Sequence, residues 1–374
     1  MTDWSRIVTP ELAGLDQFAL GQTIAEVKEH YGLDEVLKLS WNENLFGPLP
    51  GVFEAIHAEL DDMWLYPEAP NSDFREEVAA LTATSPAHVV PAHGSLALIG
   101  IVASAFLRPG DHVVVPELTY GLYAQISATR GASVERVPVR EADLTLDLAT
   151  LARRAQEVDA RIVWICDPNN PTGRALGADE WTAFLDALPD RCVAVVDEAY
   201  GDFVPPERRV RRERDVVAGR KVVVLRSFSK LYGLAGLRIG YALADPSLVP
   251  YFDIVEEPFN VNCAALAAAC ACLRATDAVA ARRREVASAR TTLSELLADA
   301  GFEPMPSEAN FVLARLDLDD LELAGALAQR GILIRAGSDY GLARHARVTV
   351  APEPLLERFG AALADACASL RTTV

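Results

Sequence analysis

The sequence predicts an α/β fold: a large unit with a mostly parallel sheet flanked by helices, joined to a smaller α+β unit. Three observations carry this. Between about residues 51 and 258, short apolar runs alternate with helix-period segments, as βαβ units do. Several of those runs, Val193–Val196 above all, are continuous rather than alternating, which suits strands buried on both faces. After Pro258 the pattern changes to long alanine-rich stretches and three separate strand-like runs. A chain of 374 residues also fits about two domains at roughly 150 residues each.

In chain order, residues 1–50 form a lead-in arm. It holds a short amphipathic helix near Thr23–His30, a strand Val36–Leu39 and a turn-rich Asn42–Pro50. Too short to fold alone, it is expected to belong partly to the smaller unit. Residues 51–258 form the large unit. Its helices are expected at Val52–Leu60, Phe74–Leu81, Leu96–Phe106, Tyr120–Ala128, Leu148–Gln156 and Asp179–Leu188. Its strands are expected at Val89–Val90, His112–Val115, Val134–Val137, Ile162–Cys166, Val193–Val196, Val222–Leu225 and Arg238–Ala242. Residues 259–374 form the small unit, with helices at Ala264–Ala275, Ala278–Ala300, Leu321–Arg330 and Leu355–Leu370, and strands at Phe311–Ala314, Ile332–Ile334 and Arg347–Val350.

Composition narrows the function. The formal charge is −18, so a nucleic acid or an anionic membrane is not an expected partner, because both require a basic face. Six cysteines show no paired ligand spacing, so no metal is expected. They read as buried small hydrophobes in a reducing, cytoplasmic compartment. No basic-then-apolar leader opens the chain, and no window approaches ~20 uninterrupted apolar residues. Gly-x-Gly-x-x-Gly, Walker-type and Gly-x-Ser-x-Gly patterns are all missing, which weakens dinucleotide, P-loop and serine-hydrolase readings.

What remains is a set of polar residues just after apolar strands, where open α/β sheets bind ligands. Asp197 ends one run, and Asn170 lies in Asp167-Pro168-Asn169-Asn170-Pro171-Thr172-Gly173 after another. Ser227-Phe228-Ser229-Lys230 follows a third, with Arg238 eight residues later. Singly, each has a plain reading as a cap, a turn or a solvated loop. The basic run Arg208–Arg214 sits in a Pro-rich connection and is expected to be a solvated loop.

Taken together and in this order, these motifs resemble the fold-type I pyridoxal-phosphate (PLP) aminotransferases, in the histidinol-phosphate aminotransferase-like branch. The resemblance runs from Asn42-Glu43-Asn44-Leu45-Phe46-Gly47-Pro48 to Ala346-Arg347-Val348-Thr349-Val350. Its most specific pieces are Asn170-Pro171-Thr172-Gly173, Val196-Asp197-Glu198-Ala199-Tyr200 and the stretch from Ser227 to Tyr241. Asn42–Pro50, Asn71-Ser72-Asp73 and Val348-Thr349-Val350-Ala351-Pro352 look most like aromatic or phenylalanine-type members; histidinol-phosphate enzymes usually carry Gly where this chain has Ala351.

The resemblance implies roles. Lys230 would bond the cofactor aldehyde and then serve as proton carrier. Asp197 would pair with the ring nitrogen, and Asn170 and Tyr200 would hydrogen-bond the ring oxygen. Arg238, Ser227, Ser229 and the Gly94-Ser95-Leu96 helix start would hold the phosphate, Leu96 through its backbone alone. Tyr120 would stack on the ring. Tyr66 would reach the cofactor phosphate of a second subunit, which implies a homodimer. Arg347 would grip the substrate carboxylate, Arg335 would lie near a substrate phosphate, and Asn44 would line the same pocket.

The implied reaction moves an amino group from a donor, glutamate as expected, to imidazole acetol phosphate, an aromatic 2-oxo acid or a specialised metabolite. A PLP-dependent decarboxylase or oxidase, such as a threonine-phosphate decarboxylase, shares this scaffold and is the alternative. A cofactor-free α/β binding module would have no chemical need for Asn170, Asp197, Tyr200, Lys230 and Arg238 together.

Overall fold

The structure is a computed structural model describing residues 2–18, 21–67 and 71–372. In chain order the strands are β1 (Leu37–Lys38), β2 (Val89–Ala92), β3 (His112–Pro116), β4 (Ser133–Val137), β5 (Ile162–Cys166), β6 (Val193–Asp197), β7 (Val222–Ser227), β8 (Gly240–Leu243), β9 (Glu303–Pro304), β10 (Phe311–Arg315), β11 (Ile332–Leu333), β12 (Arg335–Ala336) and β13 (His345–Thr349).

A seven-stranded sheet in the order β2-β8-β7-β6-β5-β3-β4 forms the large unit. The pairs joining β7, β6, β5, β3 and β4 are parallel. Only β8 runs against its neighbours, wedged between β2 and β7. Every residue of β5, β6 and β7 is buried, as expected for Val/Ile strands covered on both faces. The covering helices show why they form. In Leu148–Glu157 the buried set Leu148, Leu151, Ala152 and Ala155 makes one stripe, and the Asp147 side chain caps the N-terminus by accepting from Thr150 N–H.

The small unit is a four-stranded antiparallel sheet, β12-β13-β10-β9, packed against helices Thr276–Asp299 and Asp320–Ala328, with helix Glu353–Thr372 lying against those two helices. The arm's β1 pairs in parallel with β11, Leu37 opposite Ile332, so the start of the chain docks on its end. Its helix, Ile24–Tyr31, opens with a Thr23–Glu26 capping box and ends at Gly32, whose φ of 67° suits a left-handed C-cap. Two features differ from expectation. Helix Cys263–Arg274 packs on Val52–Glu59 and Ser72–Thr82 of the large unit, and the chain turns by 83° before Thr276–Asp299. And β8 begins at Gly240, leaving Arg238 outside it in the left-handed region at φ 56°. Among the described residues no single helix is long and apolar enough to cross a membrane.

Candidate active site

The parallel strands end side by side, so the side chains just beyond them converge. Cys166 and Asp197 are partners across β5 and β6, and Asp197 pairs in turn with Leu225 of β7. Asp197 is buried. Tyr123 O–H donates to its Oδ2 (2.8 Å) and Ala199 N–H to its Oδ1 (2.9 Å). Among the described residues no cationic side chain lies within salt-bridge distance of it. Burial therefore raises its carboxyl above the usual range, against the lowering effect of those two donors.

Lys230 follows β7 through the turn at Ser229. Its Nζ donates to the carbonyls of Trp41 and Asn42, both at 3.1 Å, and lies 5.6 Å from the centre of the Tyr200 ring. Burial, and then repulsion from Arg347, lowers the ammonium to about 8, against the attraction of Glu43 and Asp197. A lysine so placed holds a usable fraction of neutral amine near neutral pH.

An anion cradle sits at one end. Helix Ser95–Phe106 begins behind Gly94, whose φ is 80°. A Cβ at Gly94 would fall 2.5 Å from Arg238 Nη2, and one at Gly240 would fall 3.0 Å from Ser95 N. Glycine at both positions lets the guanidinium and β8 come close to the helix start. Arg238 Nη1 donates to the Ala235 carbonyl (3.0 Å) and to Ser229 Oγ (3.4 Å), and Ser227 Oγ accepts from Ser229 N–H (3.1 Å). Leu96 points outward at 39% exposure. Tyr120 is half-buried, edge-on to Tyr123 (5.4 Å) and to Phe18 of the arm (5.9 Å); burial and the Asp197 charge push its phenol up to about 12.

The small unit closes the other side. Arg347 Nη1 donates to Asn170 Oδ1 and Nη2 to the Ser40 carbonyl, both 2.5 Å, while its buried Nε finds no hydrogen-bond partner among the described residues. Arg335 lies directly opposite it across β12 and β13. Both guanidiniums flank the Tyr340 ring, at 5.8 and 5.4 Å, and Arg335 also pairs with Asp339 at 2.8 Å. Asp339 thus answers Arg335, while among the described residues no carboxylate lies within salt-bridge distance of Arg347.

Two placements differ from the sequence reading, those of Asn44 and of the basic run. Asn44 is engaged in holding its own loop: Nδ2 donates to the Leu231 carbonyl (2.6 Å), and Oδ1 accepts from Phe46 N–H (3.1 Å). Asn42, two residues earlier, stands at the site instead. It is 1% exposed and its Nδ2 donates to Tyr200 Oη (3.0 Å). The run Arg208–Arg214 is only partly solvated: Arg208, Arg211 and Arg214 are exposed, but Arg209 and Arg212 turn inward. Arg212 is 1% exposed, stacks on Trp181 and bridges Asp167 (2.6 Å) and Glu198 (2.9 Å). Arg209 and Arg226 bind the same Glu198. Tyr66 is 79% exposed, stacked on Phe259 at 4.9 Å and not part of this chain's own pocket. Asn42 belongs to the motif that holds Asn44 and was passed over for it, and Tyr123 carried no sequence signal beyond lying near Tyr120.

These residues fit PLP. A buried carboxylate without a cationic partner suits a protonated ring nitrogen, a lowered lysine suits an aldehyde, and the Gly94–Arg238 cradle suits a phosphate ester. The fold and the site together define a PLP-dependent aminotransferase. The chain belongs to the family described as aminotransferase class I and II, whose model matches residues 34–363. Relatives include the histidinol-phosphate aminotransferase 1 of Thiobacillus denitrificans, 37% identical, with 96% of this chain and 93% of that protein covered. Another is the histidinol-phosphate aminotransferase of Geobacillus thermodenitrificans, 36% identical, with 92% and 93% covered. The histidinol-phosphate aminotransferase of Sinorhizobium meliloti, solved in complex with pyridoxal-5'-phosphate, superposes with a TM-score of 0.89 at 29% identity, covering 97% of this chain and 98% of that one.

Proposed function

We propose that this aminotransferase exchanges an amino group between glutamate and imidazole acetol phosphate. The observation that carries the choice is similarity along nearly the whole chain to proteins named histidinol-phosphate aminotransferase; the facing pair Arg335 and Arg347 fits it without deciding it. Two guanidiniums across one antiparallel ladder suit substrates with an anionic group remote from the reacting carbon, a phosphate in one partner and carboxylates in the other. The names of the similar proteins support the same substrate class.

The cofactor supplies an aldehyde and an electron-withdrawing ring. The chain supplies the rest. Lys230 anchors the cofactor, and its neutral Nζ takes a proton from the reacting carbon and returns it. Asp197 keeps the ring nitrogen protonated. Asn170, oriented by Arg347, and Tyr200, oriented by Asn42, donate to the ring oxygen. Tyr120 covers the ring face. Arg238, Ser227, Ser229 and the backbone at Gly94, Ser95 and Leu96 hold the phosphate. Arg347 takes the substrate carboxylate and Arg335 the substrate phosphate.

The chain acts in the cytoplasm as a homodimer in this reading, with Tyr66 contributed to the neighbouring subunit's phosphate site. The exposed run Met63 (66%), Trp64 (78%), Leu65 (50%) and Tyr66 (79%) supports a covered surface there. Residues 1–50, 51–258 and 259–374 serve as arm, cofactor unit and substrate-closing unit, except that helix Cys263–Arg274 packs on the cofactor unit. The test is a pair of half-reactions. Histidinol phosphate should bleach the yellow protein and 2-oxoglutarate should restore the colour. Bleaching by aromatic amino acids but not by histidinol phosphate contradicts the choice of substrate. Release of CO2 or peroxide contradicts transamination itself.

A further inference from the structure

We propose that Tyr123 is a positioning residue that fixes the Asp197 carboxylate and keeps the shared proton on the cofactor ring nitrogen. This rests on the reading of Asp197 as the ring-nitrogen partner.

Tyr123 lies on helix Leu122–Ala128 and is fully buried. Its ring stacks parallel on Trp164 of β5, at 5.4 Å and 6°. Trp164 is locked in turn, its Nε1–H donating to Ser127 Oγ (3.1 Å), while the Ser127 hydroxyl donates to the Tyr123 carbonyl (2.8 Å). Tyr120 closes the arrangement edge-on at 5.4 Å. The phenol is thus held from three sides, and its O–H ends 2.8 Å from Asp197 Oδ2. Burial keeps the phenol far above its ordinary range, so it is always a donor here.

A carboxylate has about four lone-pair directions. Tyr123 O–H and Ala199 N–H each occupy one, on different oxygens, so the carboxylate is held at both ends and about two directions stay open to a further donor. Donation to an anion favours the ionised form and makes it a weaker base. A weaker base leaves a shared proton on the ring nitrogen. Without the O–H, Asp197 becomes more basic and draws that proton toward itself.

The test uses the holoenzyme loaded with PLP carrying 15N at the ring nitrogen. In Tyr123→Phe, which preserves the stack, the 15N resonance should move toward the neutral-pyridine position. At the same time kcat should fall about 10- to 100-fold, the range for losing one hydrogen bond to a charged group. KM for the amino donor should change less than about threefold, because uniform binding is untouched. Site-specific 3-fluorotyrosine at position 123, a more acidic phenol of nearly the same shape, should move the resonance the opposite way, and covers the case in which Tyr123→Phe fails to fold. A resonance unmoved by either change overturns the inference. Asp197→Ala is the reference arm. If it too leaves the resonance unmoved, the ring-nitrogen reading fails; if it alone moves it, the role of Tyr123 alone fails.

Discussion

Asp197 and Glu198 are chain neighbours, both acidic and both buried, yet they face opposite electrostatic worlds. Burial pushes the carboxyl of Asp197 up against a phenol, a backbone amide and the more distant charge of Lys230, and among the described residues no cation touches it. Burial also pushes Glu198 up, but the guanidiniums of Arg226, Arg209 and Arg212 outweigh it and hold that carboxyl well below the usual range. On the Glu198 side both carboxylate oxygens meet guanidiniums. Arg212 ties the end of β5, through Asp167, to the end of β6, and Arg226 on β7 adds Glu213. It staples from beneath the three strand ends that carry Asn170, Asp197 and Lys230. The Asp197 side is left one cation short. A charge fully answered by protein builds the scaffold, and a charge left partly answered marks where a charged ligand belongs.

The comparison can be broken at several points. Lys230→Ala should still take up PLP but lose turnover by about 10²–10⁴-fold from proton transfer alone; steady-state rates near wild type would remove Lys230 from the mechanism. Asp197 and Glu198 should respond in opposite ways. Glu198→Gln, which strands buried guanidiniums, should cost about 3–5 kcal/mol in chemical denaturation. Asp197→Asn should leave the apoprotein no less stable, because a poorly compensated charge is removed, while kcat falls about 10²–10³-fold, as for a lost electrostatic stabiliser. Equal stability losses in the two variants would erase the distinction.

Arg347→Met should raise KM for glutamate, and it should also move the pH midpoint of Lys230 reaction with PLP upward from about 8, since Arg347 repels the ammonium. An unchanged midpoint would mean that burial alone sets the lysine. The smallest effect is a stability trend. Between about pH 8 and the ordinary 10.5, unfolded chains keep a proton on Lys230 that the native apoprotein lacks. Stability therefore rises with pH across that window, and the full cost of burying the lysine is present below it. Denaturation of apo wild type against Lys230→Met should show their difference shrinking from pH 8 to 10.5.

The strand ends were legible in the sequence because they depend on local pattern. Continuous Val/Ile runs fix β5, β6 and β7, and the polar residues after them follow directly. Arg212 was not legible. A basic run beside prolines looks solvated until partners 45 and 14 positions away fold over it. Asn42 and Asn44 share one motif, and only the left-handed turn at Asn42 (φ 57°) decides which enters the site. Tyr123 has the spacing of a core aromatic and is one; its added bond to Asp197, 74 positions away, forms only once helix Leu122–Ala128 packs beside the end of β6. The antiparallel insertion of β8 has no local signature, since its apolar residues would suit either direction.

The most direct test is borohydride reduction of the PLP-loaded protein followed by peptide mapping. The chain has four lysines, Lys28, Lys38, Lys221 and Lys230, so the outcome is nearly unambiguous. The pyridoxyl group should be found on Lys230 alone, and its yield should drop when Asp197 is replaced by alanine. A pyridoxyl group on another lysine, or none on a protein that stays colourless with excess PLP, contradicts the site.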